Sequence, residues 1–298
     1  MIYVVVLSWN FREYTLRCLE SIFRMEGADF HVLLVDNASS DGTVPAVREA
    51  FSQVEIHVNP EDMGFARGIN VGLRMALERG ASRILIVSND TVLEPDLLRW
   101  MLETMESDGH VGIVAPLIYY PGRERLWYAG AYRRRFWPGV TLLGYGQMDR
   151  PRYHRRREVD YATGCVLLLR AEMLRQIGLF EESFFMYFED LDLCERARRA
   201  GWRILMEPRA TMEHIGSVSY GEFSAAKWFH IARNSVEFYR RYYRRPRLSL
   251  LLYLGWVTLR ETLRGNFQIL PSLWRGFRLG WRETYGPKRA MPAGEKAT

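Results

Sequence analysis

Short apolar runs alternate with stretches of helical spacing along the first part of the chain, and this alternation constrains the fold more than any other feature. The runs are rich in valine, isoleucine and leucine, which favour β-strands. They lie at residues 2–7, 31–35, 54–58 and 83–87. Helical spacing of apolar residues is found at 12–24, 43–51 and 64–79. Strands that alternate with helices predict an α/β fold with a mostly parallel sheet, whose active site lies beyond the carboxyl ends of the strands.

The same pattern continues farther along the chain, with strands predicted at 112–115, 165–170 and 203–206 and a helix at 189–200. The first strand is followed by neither a Gly-x-Gly-x-x-Gly turn nor a Walker lysine loop. A dinucleotide-binding Rossmann domain and a P-loop nucleotidase are therefore disfavoured, and any phosphate must be held in another way.

Polar side chains follow the predicted strands at the points where the strands end. The set comprises Ser8, Asn10, Asp36, Asp41, Asn70 and Asp90. Asparagine, aspartate and serine are also common in turns and helix caps, so each residue alone has a structural interpretation. A turn does not, however, require a carboxylate after both the second and the fourth strand. The joint pattern predicts a polar crevice at one edge of the sheet.

Asp90 is the candidate metal ligand of this crevice. A carboxylate can hold Mg or Mn while a bound diphosphate supplies further oxygen ligands, as is usual for hard divalent ions. His214 is a second candidate ligand. If it binds the metal, Mn is favoured over Mg, because imidazole suits Mn better. A single histidine is also common as a structural residue, and the residues by themselves leave that alternative open.

The segment 184–194 places three carboxylates directly after a cluster of aromatic residues. Apolar surroundings raise the pKa of a carboxyl group, whereas a helix N-terminus and nearby cations lower it, and the balance suits a general base. Acids in a first helical turn also complement the helix dipole and form ion pairs with arginines one turn later. This structural explanation accounts for Glu189 and Asp192 better than for Asp190, which is therefore the candidate base.

Charge is distributed unevenly along the chain, whose net charge is +6. Residues 121–157 contain ten arginines and two acids, and residues 227–298 contain fifteen Lys or Arg and four Glu. The rest of the chain carries an excess of acid. This distribution predicts a carboxylate-lined site together with surfaces that attract phosphate or an anionic membrane.

Aromatic residues alternate with arginines in the segment 121–157, as in some nucleic-acid-binding surfaces. No recognised RNA- or DNA-binding motif surrounds the segment, so we expect no nucleic-acid partner. We expect instead a mobile loop over the crevice, in which Arg133, Arg134 and Arg135 contact phosphate. An ordinary solvated loop is the alternative.

The C-terminal residues combine apolar and basic character. Residues 248–259 carry no charge, but these twelve residues are too few to span a bilayer, which takes about twenty. Farther on, Trp274, Phe277 and Trp281 alternate with arginines, as in helices that lie on an anionic membrane. We expect peripheral attachment to the inner face of the cell membrane. The alternative is packing against the catalytic domain or against a second subunit in a homodimer.

The three cysteines, Cys18, Cys165 and Cys194, are far apart and form no Cys-x-x-Cys pair. This spacing is typical of a reducing compartment. The N-terminal residues show neither the basic segment nor the cleavage site of a secretory signal peptide. We therefore expect a cytoplasmic protein.

Taken in order, the motifs between residues 4 and 219 resemble those of family 2 glycosyltransferases with the GT-A fold, most closely a rhamnosyltransferase-like bacterial branch. The resemblance implies a Rossmann-like, nucleotide-binding mixed sheet flanked by helices at 1–220. A basic, aromatic-rich helical extension would follow at 221–298.

The resemblance also implies which residues bind the nucleotide. Asp36 would lie against the base, with Ser8 and Asn10 nearby and Asp41 in the same pocket. The other residues that we assign to the donor site are Gly64, Asn70 and Asn89.

Metal and catalytic residues follow from the same resemblance. Asp90 matches the last acid of a metal-binding Asp-x-Asp motif, and His214 matches a histidine near the metal and the diphosphate. Asp190 matches the catalytic base of a Glu-Asp pair. We assign Glu189 and Asp192 to the acceptor side.

The chain departs from the family pattern at two positions. Ser88 stands where the first acid of the Asp-x-Asp motif is expected, which leaves Asp90 as its one carboxylate. Asp62 stands in the glycine loop where asparagine is frequent.

The implied reaction is a metal-dependent, inverting transfer of a sugar, with a rhamnose-like hexose favoured, from a nucleoside-diphosphate sugar of the dTDP or UDP type. The acceptor would be a hydroxyl of a lipid-linked or polysaccharide molecule in cell-envelope glycan synthesis. Two other classes stay open, a non-catalytic nucleotide-sugar-binding protein and a sugar nucleotidyltransferase. The latter would need a glycine-rich basic loop after the first strand, and residues 7–12 do not form one.

Overall fold

A ten-stranded mixed sheet, followed by a group of helices, organises the chain. This computed structural model describes residues 1–134, 139–215 and 224–285. The chain divides into two compact units, Met1–Gly221 and Glu222–Thr298. Arg135, predicted from the sequence to contact phosphate, lies outside the described residues.

The described part of the first unit alternates strands and helices from its start. The strands are β1 (Ile2–Ser8), β2 (His31–Asp36), β3 (Glu55–Val58), β4 (Arg83–Ser88), β5 (Thr91–Leu93), β6 (Val111–Tyr119), β7 (Leu126–Tyr128), β8 (Ala131–Arg133), β9 (Val140–Leu142), β10 (Arg157–Glu158), β11 (Val166–Arg170) and β12 (Arg203–His214). The helices are α1 (Arg12–Phe23), α2 (Thr43–Ala50), α3 (Gly64–Glu78), α4 (Leu97–Glu106), α5 (Ala171–Ile177) and α6 (Glu189–Arg199), with a 3₁₀ turn at Pro151–Tyr153.

The large sheet has the order β10-β12-β6-β11-β4-β1-β2-β3, with β5 paired to β12 and β7 paired to β6. Strands β1, β2, β3 and β4 are mutually parallel, and β12 is parallel to β6. Strand β11 runs antiparallel to both of its neighbours, β4 and β6. The predicted α/β class is therefore confirmed. The sheet is mixed, as the resemblance implies, rather than mostly parallel.

The central strands are apolar along their length because both faces of the sheet are covered. Val4, Val5 and Val6 of β1 are fully buried, which is typical of strands in a sheet with helices on both sides. Helix α3 packs on this sheet through Gly72. A Cβ atom added there would lie 2.3 Å from Val5 Cγ1 and 2.9 Å from Val35 Cγ2. Glycine thus permits the close approach of helix and sheet.

Parallel register brings several strand ends to one edge of the sheet. Ser8 pairs with Asp36 across β1 and β2, and Leu7 pairs with Ser88 across β1 and β4. The residues that follow these strands therefore share one edge, as the sequence predicts.

The second unit is helical in its described part. It consists of α7 (Ala225–Tyr242), α8 (Pro246–Leu263), a 3₁₀ turn (Phe267–Ile269) and α9 (Leu270–Tyr285). Its small apolar core is formed by Trp228, Ala232, Leu254, Val257, Ile269 and Leu273. Within the described residues, none of the helices combines the length and the apolar character needed to cross a bilayer.

Helices α7 and α9 meet at backbone distance. A Cβ atom at Gly276 would lie 2.2 Å from the carbonyl oxygen of Phe229, and one at Gly280 would lie 2.4 Å from that of Arg233. Two glycines four residues apart share one side of a helix, so this side of α9 is committed to α7.

Replacing Gly72 by alanine should lower the free energy of unfolding by about 1–3 kcal/mol, because the added methyl group overlaps two buried valines. This cost exceeds the gain of about 1 kcal/mol that alanine brings to a helix interior. Gly109→Ala is the matched control, since nothing lies within 4 Å of its new methyl group. Urea unfolding measures both variants, and equal stabilities would contradict tight packing of α3 on β1.

Candidate active site

The loops after β1 and β2 are joined through Asn10. Its backbone N–H donates to Ser39 Oγ at 2.7 Å, and its side-chain Oδ1 accepts from the Ser40 N–H at 2.9 Å. Asn10 has a left-handed φ of 57°, which asparagine adopts more readily than most residues. Asn10, which the resemblance places near the bound nucleotide, thus shapes the loops at the strand ends.

Asp36 ends β2 and is fully buried. Its Oδ1 accepts from Ser39 Oγ at 2.6 Å and its Oδ2 accepts from the Ser39 N–H at 2.8 Å. The turn after β2 therefore wraps around this carboxylate. Contact between Asp36 and a nucleotide base stays a prediction.

Asp41 joins the beginnings of two helices. Its carboxylate accepts from the Arg12 N–H of α1 at 2.8 Å and from the Thr43 N–H of α2 at 3.1 Å. Partial burial raises the pKa of Asp41. Hydrogen bonds from the Thr43 side chain and from these amides lower the pKa by more than burial raises it, so the net pKa lies below its usual value. A helix-capping role accounts for these contacts. Its place in the nucleotide pocket is untested.

Asn89 joins the end of β4 to the loop after β1. Its side-chain Nδ2 donates to Thr15 Oγ1 at 2.9 Å and to the carbonyl oxygen of Asn10 at 3.1 Å. Thr15 Oγ1 also lies 3.1 Å from Ser8 Oγ. Sequence reasoning identified Ser8, Asn10 and Asn89 but missed Thr15, which contacts Ser8 and Asn89 from helix α1.

Gly64 and Asn70 fasten helix α3 to the segment that leads into α6. Gly64 has a φ of 71°, and a Cβ atom there would lie 2.4 Å from the carbonyl oxygen of Phe185. Asn70 Nδ2 donates to the Phe180 carbonyl at 2.8 Å and to Glu182 Oε1 at 3.0 Å, while its Oδ1 accepts from the Phe180 N–H at 3.0 Å. These contacts give both residues a structural role, and their direct contact with a donor stays a prediction.

Asp62, one of the two departures from the family pattern, caps the same loop. Its Oδ1 accepts from the Gly64 N–H at 2.9 Å and from Asn37 Nδ2 at 3.3 Å. Asn37 in turn donates to the carbonyl oxygen of Gly64 at 3.0 Å. The carboxylate therefore holds the glycine loop in place.

Asp90 and His214 meet at the same edge of the sheet. Asp90 Oδ2 lies 3.2 Å from His214 Nε2, and the two side chains are 16% and 10% exposed. His214 reaches this position because the last residues of β12 pair with β5, where it lies opposite Thr91. Burial raises the pKa of Asp90, but the adjacent imidazole lowers the pKa by more than burial raises it, so the net pKa lies below its usual value. Asp90 is thus held as a carboxylate.

The other ring nitrogen of His214 distinguishes it from an ordinary core histidine. Its Nδ1 is buried and has no hydrogen-bond partner among the residues that the structure describes. The ring of Trp127 packs edge-on against the imidazole, with centroids 4.8 Å apart. The imidazole is therefore fixed by packing on one side and by Asp90 on the other.

The Asp90–His214 pair is consistent with part of a divalent-metal site. Across residues 1–134, 139–215 and 224–285 no group of three or more His, Cys, Asp or Glu residues could enclose a metal ion. One carboxylate and one imidazole suit Mn or Mg where a ligand's diphosphate oxygens supply the remaining coordination. The carboxylate of Asp90 and the imidazole of His214 therefore fit a metal that is bound together with a nucleotide.

The Asp190 carboxylate is held by three donors. Tyr161 OH donates to Oδ2 at 2.7 Å, the Gly164 N–H donates to Oδ2 at 3.1 Å, and the Leu191 N–H donates to Oδ1 at 2.8 Å. Burial raises the pKa of Asp190 above its usual value, and these hydrogen bonds oppose the rise. Burial also raises the pKa of the Tyr161 hydroxyl, so it remains a donor. Tyr161 is a site residue that sequence reasoning missed.

Glu189 and Asp192 occupy different environments beside Asp190. Glu189 is buried, and its Oε2 has no hydrogen-bond partner within the described residues. Burial and the neighbouring Asp190 charge raise the pKa of Glu189 well above its usual value. Asp192 is buried and forms an ion pair with Arg196 at 2.7 Å, which also donates to the Leu179 carbonyl. Asp192 thus anchors α6, and the acceptor-side role of both acids stays a prediction.

Helix α6 begins after two residues with left-handed backbone. Tyr187 has a φ of 69° and Phe188 has a φ of 77°. Such conformations are unfavourable for aromatic residues and persist where the surrounding structure enforces them, often at functional sites. They set the direction in which Glu189 and Asp190 leave the helix N-terminus.

Several arginines of the 121–157 segment form ion pairs within the first unit. Arg133 pairs with Glu195 at 3.0 Å, and Arg156 pairs with Glu207 at 2.7 Å. Because both acids are nearly fully buried, these pairs are structural. These ion pairs favour a structural role over phosphate binding for Arg133 and Arg156, whereas the alternative from the sequence was an ordinary solvated loop.

Comparison with known proteins identifies the family to which the sequence belongs. The sequence matches the family described as "Glycosyltransferase like family 2" over residues 1–235. N-acetylglucosaminyl-diphospho-decaprenol L-rhamnosyltransferase of Mycobacterium tuberculosis is 28% identical over 291 residues, which covers 91% of each chain. Rhamnosyltransferase WbbL of Escherichia coli is 21% identical over 220 residues, covering 70% of this chain and 81% of the relative.

The fold is shared with solved glycosyltransferases. Mannosyltransferase PcManGT from Pyrobaculum calidifontis, solved with GDP-Man and Mn²⁺, superposes with a TM-score of 0.60 at 18% identity, covering 92% of this chain and 73% of that chain. Since the family match spans most of the sequence, the chain belongs to glycosyltransferase-like family 2 and is a glycosyltransferase with the GT-A fold.

Proposed function

We propose that the chain transfers a rhamnose-like hexose from a nucleoside-diphosphate sugar to a hydroxyl of a lipid-linked acceptor, with inversion at the anomeric carbon. The observation that carries the proposal is the half-buried carboxylate of Asp190 at the start of α6, which accepts three hydrogen bonds. The names of the M. tuberculosis and E. coli relatives support rhamnose as the sugar. The name of the M. tuberculosis relative supports a polyprenyl-diphosphate acceptor in cell-envelope glycan synthesis.

Asp190 acts as the general base in this proposal. Tyr161 and Gly164 donate to Oδ2, whereas Oδ1 accepts one hydrogen bond and keeps a lone pair for the acceptor hydroxyl. As the acceptor oxygen attacks the anomeric carbon, its proton passes to Asp190 and the bond to the diphosphate oxygen breaks on the opposite face. A positioned base of this kind contributes roughly a hundred- to ten-thousand-fold in rate.

In this proposal, one of the two adjacent carboxyl groups, Glu189 and Asp190, is protonated and the other is ionised. Burial and the Asp190 charge raise the pKa of Glu189 well above its usual value, and its Oε2 has no hydrogen-bond partner within the described residues, so we assign the protonated state to Glu189. We assign the ionised state to Asp190, because its three donors stabilise the carboxylate and oppose the rise in pKa that burial causes. A neutral Glu189 beside an ionised Asp190 also avoids the repulsion of two close charges.

Asp90 and His214 are the proposed ligands of Mg or Mn. An ion bound there would neutralise the negative charge of the leaving nucleoside diphosphate. Asp36, with the neighbouring Ser8 and Asn10, is the proposed contact of the nucleotide base, in a donor of the dTDP or UDP type.

We further propose that the protein works at the cytoplasmic face of the membrane, where a lipid-linked acceptor is found. Within residues 224–285 there are twelve Lys or Arg and three Glu, a charge that anionic lipids attract. The alternative partner for this unit is a second subunit.

Replacing Asp190 by asparagine should lower kcat by about a hundred- to ten-thousand-fold, because the amide cannot accept the proton. The dissociation constant of the donor should change little, since Asp190 does not hold the nucleotide in this proposal. Release of nucleoside diphosphate measures turnover and calorimetry measures donor binding, after a screen of nucleotide sugars for slow hydrolysis with Mn. Asp29→Asn, at an exposed position before β2, is the control. Equal losses of donor affinity and turnover would contradict the assignment.

Replacing Tyr161 by phenylalanine should move the acidic limb of the pH profile of kcat/KM to higher pH. The hydroxyl stabilises the ionised carboxylate, so its loss raises the pKa of Asp190 and the base becomes protonated at a higher pH. The other titratable groups that interact with Asp190 stay in place in this variant: Tyr128, Cys165, Glu189 and Cys194.

Tyr119→Phe is the matched control for this variant, because Tyr119 OH donates at 2.8 Å to a different carboxylate, Asp149. Its profile should match that of the unchanged protein. An unshifted limb in Tyr161→Phe, with full activity, would show that the tyrosine does not act on the base.

Asp90→Asn and His214→Asn should each weaken Mn binding by at least about tenfold when measured by calorimetry with nucleoside diphosphate present. Chelation of the metal should abolish turnover of the unchanged protein. Asp149→Asn is the control, because Asp149 forms a similar pair with His154 at 2.8 Å elsewhere in the first unit. If all three variants bind Mn equally, the metal is not held by Asp90 and His214.

A further inference from the structure

Five leucines on one side of α8 are exposed. They are Leu248, Leu251, Leu252, Leu259 and Leu263, with exposed fractions of 41–78%. Intervals of three, four, seven and eleven residues place them on one side of a helix, together with the exposed Gly255. We call this set the leucine face of α8. Single exposed apolar residues are ordinary, but a continuous apolar face marks an interaction surface.

The core of the second unit does not require the leucine face. Helix α8 already packs inward through Leu250, Leu254 and Val257, which are almost completely buried. The helix is therefore apolar on its inner and its outer side. A helix that is apolar all round is normally surrounded by protein or lipid. Among residues 1–134, 139–215 and 224–285, no partner of that kind covers the outer side.

Charged residues stand at both ends of this face. Arg244, Arg245 and Arg247 are exposed at its beginning, and Arg264 is 62% exposed at its end. The one acid of α8, Glu261, is buried and pairs with Arg260 and Arg264. The described helix thus presents leucines between three exposed arginines at its beginning and one, Arg264, at its end, without an exposed acid. This distribution is complementary to an anionic lipid surface.

The aromatic residues of α9, expected from the sequence to contact the membrane, are less available. Phe277 and Trp281 are half-buried, and Phe277 packs against the core of this unit. Gly276 and Gly280 hold the same helix against α7. Trp274 alone of the three predicted aromatic residues is exposed. The leucine face of α8 is therefore more exposed than the aromatic residues of α9 and is the stronger candidate for membrane contact.

We propose that the leucine face of α8 enters the boundary between headgroups and acyl chains of an anionic membrane, with the arginines at its two ends bound to lipid phosphate. This inference rests on the membrane attachment in the proposed function and specifies the surface that makes it. A second copy of the chain is a poorer occupant. Symmetric pairing of two leucine faces would bring arginines against arginines in either relative direction of the helices.

Site-specific fluorescence tests the contact directly in the full chain. An environment-sensitive label at Leu259→Cys should shift to shorter wavelength on vesicles of phosphatidylglycerol and phosphatidylcholine, whereas a label at Leu279→Cys on α9 should not. The three native thiols are buried, and burial raises the pKa of each to about 12, so labelling is confined to the introduced cysteine. Equal responses at the two positions would overturn the proposal.

A paired substitution measures what the face contributes. Leu259→Gln/Leu263→Gln should lower the partition of the full chain onto the same vesicles by at least about tenfold. Phe267→Gln/Leu279→Gln, which removes two other exposed apolar side chains of this unit, should leave partition nearly unchanged. The unchanged protein should keep part of its binding at about 1 M salt, where charge attraction is screened within about 3 Å.

Three results would overturn the proposal. The first is equal partition of the two paired variants, and the second is binding that disappears entirely in high salt. The third is a dimer mass in light scattering that falls to the monomer mass in Leu259→Gln/Leu263→Gln, which would make the face a subunit interface. Donor hydrolysis without vesicles tests the catalytic proposal separately. An active chain that fails to bind vesicles refutes this inference alone, and a chain that binds without hydrolysing donor refutes the catalytic proposal alone.

Discussion

Parallel pairing of β1 with β2 and β4 is the constraint on which the site depends. It sets Ser8 beside Asp36 and Leu7 beside Ser88, so the polar residues that follow these strands share one edge. Strand β12 ends at the same edge, because it is parallel to β6, and brings His214 to Asp90. Strand β11 is antiparallel to β4, so it begins where β4 ends, and the loop before it brings Tyr161 and Gly164 to Asp190.

Local patterns in the sequence were sufficient to find most strands and helices of the first unit and the edge at which its polar residues lie. They were insufficient for contacts that depend on strand direction. Nothing in the residues around Tyr161 indicates that its hydroxyl reaches Asp190, since this requires β11 to run antiparallel. Thr15 was missed for a related reason, because its side chain meets Asn89 only after α1 has packed beside β5, the strand that follows Asn89. The Asp190–Gly164 contact has the same origin.

Net charge along the sequence proved ambiguous, because it does not show which charges are paired. In the first unit, Arg156 and Arg209 contact the buried Glu207. Burial raises the pKa of Glu207, but hydrogen bonds led by Arg209 lower it to about 2, so the group is ionised and the arginines are structural. In residues 224–285 the cations outnumber the acids twelve to three, so this part of the chain carries a net positive charge. An excess of basic residues thus has different meanings in the two units.

The contact of Gly64 with Phe185, together with the clamp of Asn70 on Phe180 and Glu182, has a kinetic consequence. The glycine loop, helix α3 and the segment before α6 are tied at two places, by the Phe65 N–H, which donates to the Phe185 carbonyl at 2.9 Å, and by the Asn70 side chain. A side chain larger than hydrogen at position 64 would displace Phe185 and, through the left-handed Tyr187 and Phe188, the start of the helix that carries Asp190. Substitutions in this loop would therefore alter KM for the donor and kcat together, and the two constants could not be adjusted independently there.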